Sequence, residues 1–185
     1  MHHRPLTLAR LAASILFFAP FAVTAADTNS VLSEIRAGVL YHDPGFWGGT
    51  GVEDGIDFNA ELIFSPSLKA FGGVIRPVAG LSVNDQGNTS KIYASAVYEY
   101  RWKNGFFIDL GLGIALHDGE IDDEEQADKS NLLGSPVLFR LSIEPGITFK
   151  THHRISLLLD HVSNGYLIDP NEGLDTLGVR YGYQF

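Results

Sequence analysis

His161, Ser163 and Asp175 are the side chains in this 185-residue chain whose types and spacing could do nucleophilic chemistry. A serine hydroxyl attacks a carbonyl once its proton can pass to an imidazole, and a carboxylate on the far side of the ring fixes the tautomer that accepts it. The histidine precedes the serine by two positions and the acid follows it by twelve, so in extended chain His161 and Ser163 share one side, about 6 to 7 Å apart along the strand. Asn164 and Gly165 come directly after the serine and offer a side-chain amide and an unencumbered backbone N–H as oxyanion donors. Other chemistries find little support. The chain has no cysteine, which removes thiolate metal sites and thiol nucleophiles. His152 and His153 stand beside Arg154 with no further ligand at metal-binding spacing. The acidic run from His117 to Glu125 lacks the glycine placement of a calcium loop and reads as a solvated external loop.

A lone His-x-Ser is commonly just polar residues where a strand leaves a membrane. The elements around this one give it more weight. Ile155, Leu157 and Leu159 alternate up to His161 and Ser163, and Leu177, Val179, Tyr181, Tyr183 and Phe185 alternate back to Asp175. All three polar residues therefore fall on the apolar parity of two consecutive strands, at the ends that meet across one connection. The same period of two runs through the chain: Ile35 to Tyr41, Ile56 to Phe64, Phe71 to Val83, Ile92 to Trp102, Phe106 to Leu116 and Val137 to Phe149. Eight strands result. Their opposite parity carries Asp57, Glu61, Arg76, Glu99, Arg101, Asp109, Arg140, Glu144 and Arg180, charges that a small barrel can pair in its lumen. The connections alternate in length, long at 42 to 54, 118 to 134 and 164 to 174, with short ones such as the Asn104-Gly105 hairpin between. The expectation is an all-β, eight-stranded antiparallel transmembrane barrel with short periplasmic turns and longer external loops. Aromatic residues near the strand ends, Tyr98, Tyr100, Trp102 and Phe106, and an aromatic terminus at Phe185 suit the two membrane interfaces. A soluble eight-stranded barrel of lipocalin type is the alternative, because alternation alone does not say which face is wet.

Met1 to Ala26 reads as a secretory signal, with Arg4 and Arg10 ahead of a short apolar run interrupted by Pro20 and small residues before Asp27; residues 27 to 185 would be the barrel. The formal charge of −9, with 13 basic residues against 22 acidic, argues against nucleic acid as a partner. Glycine at 20 residues, phenylalanine at 12 and methionine at one exclude a helical bundle and favour strands and tight turns.

The segment Leu159-Asp160-His161-Val162-Ser163-Asn164-Gly165, with Asn171-Glu172-Gly173-Leu174-Asp175 and the alternating run to Phe185, resembles the PagL-type lipid A 3-O-deacylases of Gram-negative outer membranes. The close likeness covers about the last quarter of the chain. It implies an outer-membrane enzyme that hydrolyses the ester of the 3-hydroxyacyl chain at position 3 of lipid A, using no metal or other cofactor. By motif, Ser163 is the nucleophile, His161 the base, Asp175 the orienting acid, and Asn164 with Gly165 the oxyanion site. The family acid is usually glutamate, so Asp175 departs by one methylene; Glu172, on the wrong parity and in a loop, is the competing acid. The implied partners are lipopolysaccharide and outer-membrane lipids, and a homodimer is compatible with such a barrel. Two other classes share the strand pattern: a non-enzymatic structural or adhesive barrel, and a narrow channel for small hydrophobic molecules.

Overall fold

The computed structural model describes residues 30–123, 125 and 127–185; the expected signal segment lies outside them. Nine strands occur in chain order: β1 (Leu32–His42), β2 (Ile56–Phe64), β3 (Leu68–Ala70), β4 (Gly73–Asn84), β5 (Lys91–Arg101), β6 (Phe106–His117), β7 (Val137–Phe149), β8 (His153–Ser163) and β9 (Leu174–Gln184). All pairings between them are antiparallel, in the order β2-β1-β9-β8-β7-β6-β5-β4, and β2 pairs with β4 to close the ring. Eight long strands thus form a closed barrel, as the alternation predicts. No helix among the described residues is long and apolar enough to cross a membrane.

The short β3 was not legible in the sequence. It continues the line of β2 along β4 after a slip of two residues, from Ile63 opposite Val78 to Leu68 opposite Ile75. Pro66 and Pro77 face this break, and neither has an N–H to give to a ladder, which is why the pairing bulges there.

The barrel is apolar outside and polar within. Leu112 is 62% exposed and Phe58, Ile92 and Val179 nearly as much, whereas Arg140, Arg154 and Arg180 are 1% exposed. A soluble barrel would reverse the two faces, so the outward side chains face lipid and the lipocalin-type alternative fails. Inside, Arg36 bridges Glu34 at 2.6 Å, Glu144 at 2.7 Å and Asp109 at 2.8 Å. Arg140 and Lys91 both hold Asp160, at 2.6 and 2.8 Å. Arg180 reaches Glu61 at 2.9 Å and also bonds Glu144, and Arg154 joins Glu34 to Glu99. The Arg154 and Arg140 guanidinium groups sit over the Phe107 and Tyr93 rings, 3.3 and 3.8 Å from their centroids. The expected charges Arg76 and Arg101 are the outliers: both lean on Glu99 near the short-turn end and stay partly exposed. Ion pairs and aromatic rings occupy the middle of the lumen, which makes it a packed interior and not a pore.

At the long-loop end the lumen is stoppered by a second polar cluster. His42 sits between Asp57 and Glu53, with ring nitrogens 2.8 and 2.9 Å from their oxygens. Glu53 also accepts from the Thr89 and Asn131 backbone amides, tying the β1–β2 loop to those after β4 and β6. Burial alone would raise the Glu53 carboxyl, but these donors and His42 hold it below its ordinary value.

Candidate active site

The strand register brings the two distant members of the expected triad face to face. His161 on β8 pairs directly with Asp175 on β9, and the pair above it is Val162 with Leu174. On the outward face Leu159 and Leu177 continue the same rows downward into the lipid-facing band, so the acid and base cap two apolar ladders. His161 Nδ1 lies 2.7 Å from Asp175 Oδ1. Glu172 is elsewhere: its carboxylate accepts from the Leu132 amide at 2.6 Å and staples the last long loop to the one after β6.

The β1–β2 loop, residues 43–55, completes the surroundings. Asp175 Oδ2 accepts hydrogen bonds from three successive backbone amides, Trp47 at 2.6 Å, Gly48 at 3.3 Å and Gly49 at 3.5 Å. The Trp47 indole stacks on the His161 ring with centroids 5.3 Å apart and planes at 23°. Outward parity thus does not leave these residues bare: Asp175 is fully buried and His161 only 8% exposed. A carboxylate with one oxygen on imidazole and the other on three amides is fixed in both position and orientation.

Ser163 ends β8 on the same outward parity as His161, beside Phe139 of β7, and is partly exposed. No hydrogen bond joins the Ser163 hydroxyl to the His161 ring, whose hydrogen bond is the one to Asp175. The ring nitrogen left for it is Nε2, which has no hydrogen-bond partner among the described residues.

The two expected oxyanion donors divide. Asn164 does not aim its amide at an open position: Nδ2 lies 3.0 Å from the Leu133 carbonyl oxygen, 2.8 Å from that of Ile168 and 2.9 Å from that of Pro170. Two hydrogens shared among three acceptors leave nothing for a ligand. Its side chain instead shapes the turn after the serine, and Asn171 secures the same turn by accepting from the Asn164 amide at 2.9 Å. Gly165 adopts φ +69°, the left-handed turn conformation, and its N–H makes no hydrogen bond among the described residues. Together these side chains form a strand-end cluster with a held acid–base pair, a neighbouring hydroxyl and a free backbone donor. That set suits acyl transfer, and no group of histidine and acidic residues among the described ones is arranged to hold a metal ion.

Residues 82–184 match the family model described as lipid A 3-O-deacylase (PagL). The chain belongs to this family. The lipid A deacylase PagL of Bordetella bronchiseptica (strain ATCC BAA-588 / NCTC 13252 / RB50) is 35% identical over 94 residues, covering 50% of this chain and 49% of that protein. The chain therefore matches about half the length of this curated relative. The crystal structure of the outer membrane enzyme PagL superimposes with a TM-score of 0.61 at 20% identity, over 83% of this chain and 100% of that one. That likeness is one of fold: the same kind of small closed β-barrel. The matched stretch in this family member holds His161, Ser163 and Asp175 but begins after the β1–β2 loop, so Trp47, Gly48 and Gly49 lie outside it. Sequence reasoning missed that loop. Its one signal is an aromatic pair, Phe46-Trp47, beside two glycines in a connection otherwise built of turn residues.

Proposed function

We propose that this protein is a lipid A 3-O-deacylase of the outer membrane, a serine esterase acting on substrate presented sideways from the outer leaflet. The observation that carries the reading is the His161–Asp175 pair on the lipid-facing parity at the rim, with Ser163 one outward position further on the same strand. Ser163 Oγ attacks the carbonyl carbon of the ester at position 3 while its proton passes to His161 Nε2. Asp175 holds the ring and balances the imidazolium charge, a base contribution of about 10² to 10⁴ in rate. The N–H of Gly165 faces the oxyanion, and the turn fixed by Asn164 sets its direction; one such donor contributes about 10² to 10³. The tetrahedral species collapses, the sugar oxygen leaves with the proton from His161, and the acyl group remains on Ser163. Water, deprotonated by the same imidazole, then attacks the acyl-enzyme and releases the 3-hydroxy fatty acid. The acyl chain needs no tunnel, since it lies along the exposed wall formed by Leu157, Leu159, Leu177 and Val179, already in hydrocarbon. All of these groups come from one chain, so a dimer is not required for the chemistry.

Mass spectrometry of lipid A from Gram-negative cells with and without the protein tests the assignment. Wild type removes one 3-hydroxyacyl chain, and Ser163→Ala, inserted to the same level, leaves lipid A intact. Continued trimming by Ser163→Ala would overturn the serine mechanism, and unchanged lipid A with wild type would leave a structural or adhesive barrel.

A further inference from the structure

Trp47, Gly48 and Gly49 belong to a different loop from the acid and base they touch, and their amides and the indole converge on those two side chains. Their amides account for all the hydrogen bonds accepted by Asp175 Oδ2. The loop's backbone also joins β9 here: Gly173 N donates to the Gly48 carbonyl at 2.8 Å, and Gly49 forms an isolated bridge with Gly173. A methyl group on Gly48 would stand 2.8 Å from His161 Cε1, and one on Gly173 would stand 2.6 Å from it, so glycine at both places lets backbone close against the imidazole. The ring is thus edged by two glycines, faced by an indole and bonded through Nδ1 to an acid that cannot turn.

The loop is anchored for this task. Asp43 N donates to the Asp175 carbonyl at 2.9 Å where the loop leaves β1. The Asp43 carboxylate then accepts from the Gly51 amide at 2.8 Å and from Asn131 Nδ2 at 2.9 Å, pinning the loop's return to the one after β6. Successive backbone N–H groups turned toward one oxygen form an anion-holding concavity, and here the anion is the chain's own catalytic-pair carboxylate.

We infer that Trp47–Gly49 is a positioning element of the hydrolytic site, its amides setting the carboxylate of Asp175 and its indole setting the ring plane of His161. The inference rests on the deacylase reading. Neither Trp47 nor the glycines react; they act through the acid and base. A base misplaced by about 1 Å loses on the order of 10²-fold in rate while substrate binding is untouched.

The test uses the full barrel in detergent micelles with lipid A as substrate, comparing wild type, Trp47→Ala and Trp47→Phe after confirming barrel folding by the shift in gel mobility on heating. Trp47→Ala lowers kcat by about 10²-fold with KM little changed, and Trp47→Phe, which keeps a stacking face, recovers most of the rate. A raised KM with unchanged kcat would overturn the inference by making the indole a substrate contact, and so would wild-type values for both constants. A second measurement needs no turnover: the rate at which diethyl pyrocarbonate modifies His161, followed by peptide mass spectrometry. It rises severalfold in Trp47→Ala and returns toward wild type in Trp47→Phe. An unchanged modification rate would overturn the inference even if wild type acts on some other ester, whereas absence of lipid A trimming with the modification pattern intact would strike the substrate assignment alone.

Discussion

Replacing Asp175 with asparagine keeps shape and volume but removes one acceptor, and the surroundings decide which one is lost. The side chain has two addresses: Oδ1 faces His161 Nδ1 at 2.7 Å, and Oδ2 faces the amides of residues 47, 48 and 49. If the asparagine NH₂ occupied the second address it would set donors against three donors in a fully buried position. Its oxygen therefore takes that address, and its NH₂ turns to the imidazole. The ring must then accept at Nδ1 and carry its proton on Nε2, the nitrogen that has to receive the serine proton. The tautomer is inverted, and the imidazolium formed in the transition state meets a dipole where it had a charge. The same acid-to-amide exchange in a serine protease triad costs about 10⁴ in kcat, or about 5 kcal/mol of transition-state stabilisation, and a loss of that order is expected here. KM should change little, because the acid does not touch lipid. Asp175→Ala makes the contrast sharp: without an NH₂ to enforce the wrong tautomer, the alanine protein should be no worse than asparagine despite being less like the native residue. The assay is release of 3-hydroxy fatty acid from lipid A in micelles under single-turnover conditions. An asparagine variant within tenfold of wild type would refute both the assignment of Asp175 and the argument that the loop amides select its orientation.

Two further outcomes follow from the barrel itself. Asn164→Ala leaves the carbonyls of Leu133, Ile168 and Pro170 without their shared donor, and should cost about 1 to 3 kcal/mol, read as a lower thermal midpoint in micelles together with slower deacylation from a loosened serine turn. Arg180→Leu removes the bridge between Glu144 and Glu61 deep in the lumen, leaving Glu144 to Arg36 and Glu61 to the more distant Arg140, and should destabilise the barrel by about 3 to 5 kcal/mol in urea titration, with activity per folded molecule retained because the network lies away from the rim.

The strands and their facing were legible because the bilayer imposes a strict demand. Outward positions such as Leu110, Leu112 and Ile114 must be apolar and inward ones such as Asp109 must be paired, so period-two arithmetic recovers both the element and its orientation. The same arithmetic put His161 and Asp175 on one face at the meeting ends of neighbouring strands, since both positions continue apolar rows; that they stand directly opposite each other is a matter of register, which parity does not fix. It could not show that loop 43–55 folds over them, because loops answer to hydrogen bonds that carry no periodicity. Asn164 illustrates the converse: residue type and position suit an oxyanion donor, yet three nearby carbonyls claim its amide, and only the path of the chain from 165 to 170 decides between the two uses. The two-residue slip at β3 was invisible for a related reason, as Pro66 and Pro77 become opposed only once β2 and β4 are laid together.

The meeting of first and last strands has a bearing on how the molecule matures. β1 joins β9 through nine residue pairs from Glu34–Gln184 to His42–Thr176, and the loop that secures Asp175 springs from the far end of that junction. While the junction is unzipped, the serine, histidine and aspartate are all present on the C-terminal hairpin, but the clasp that aligns them is still on the other edge of an unrolled sheet. Closing the cylinder and ordering the acid–base pair are then one event, so on the proposed reading a chain whose first and last strands have not met carries the three side chains without the loop that holds them in place.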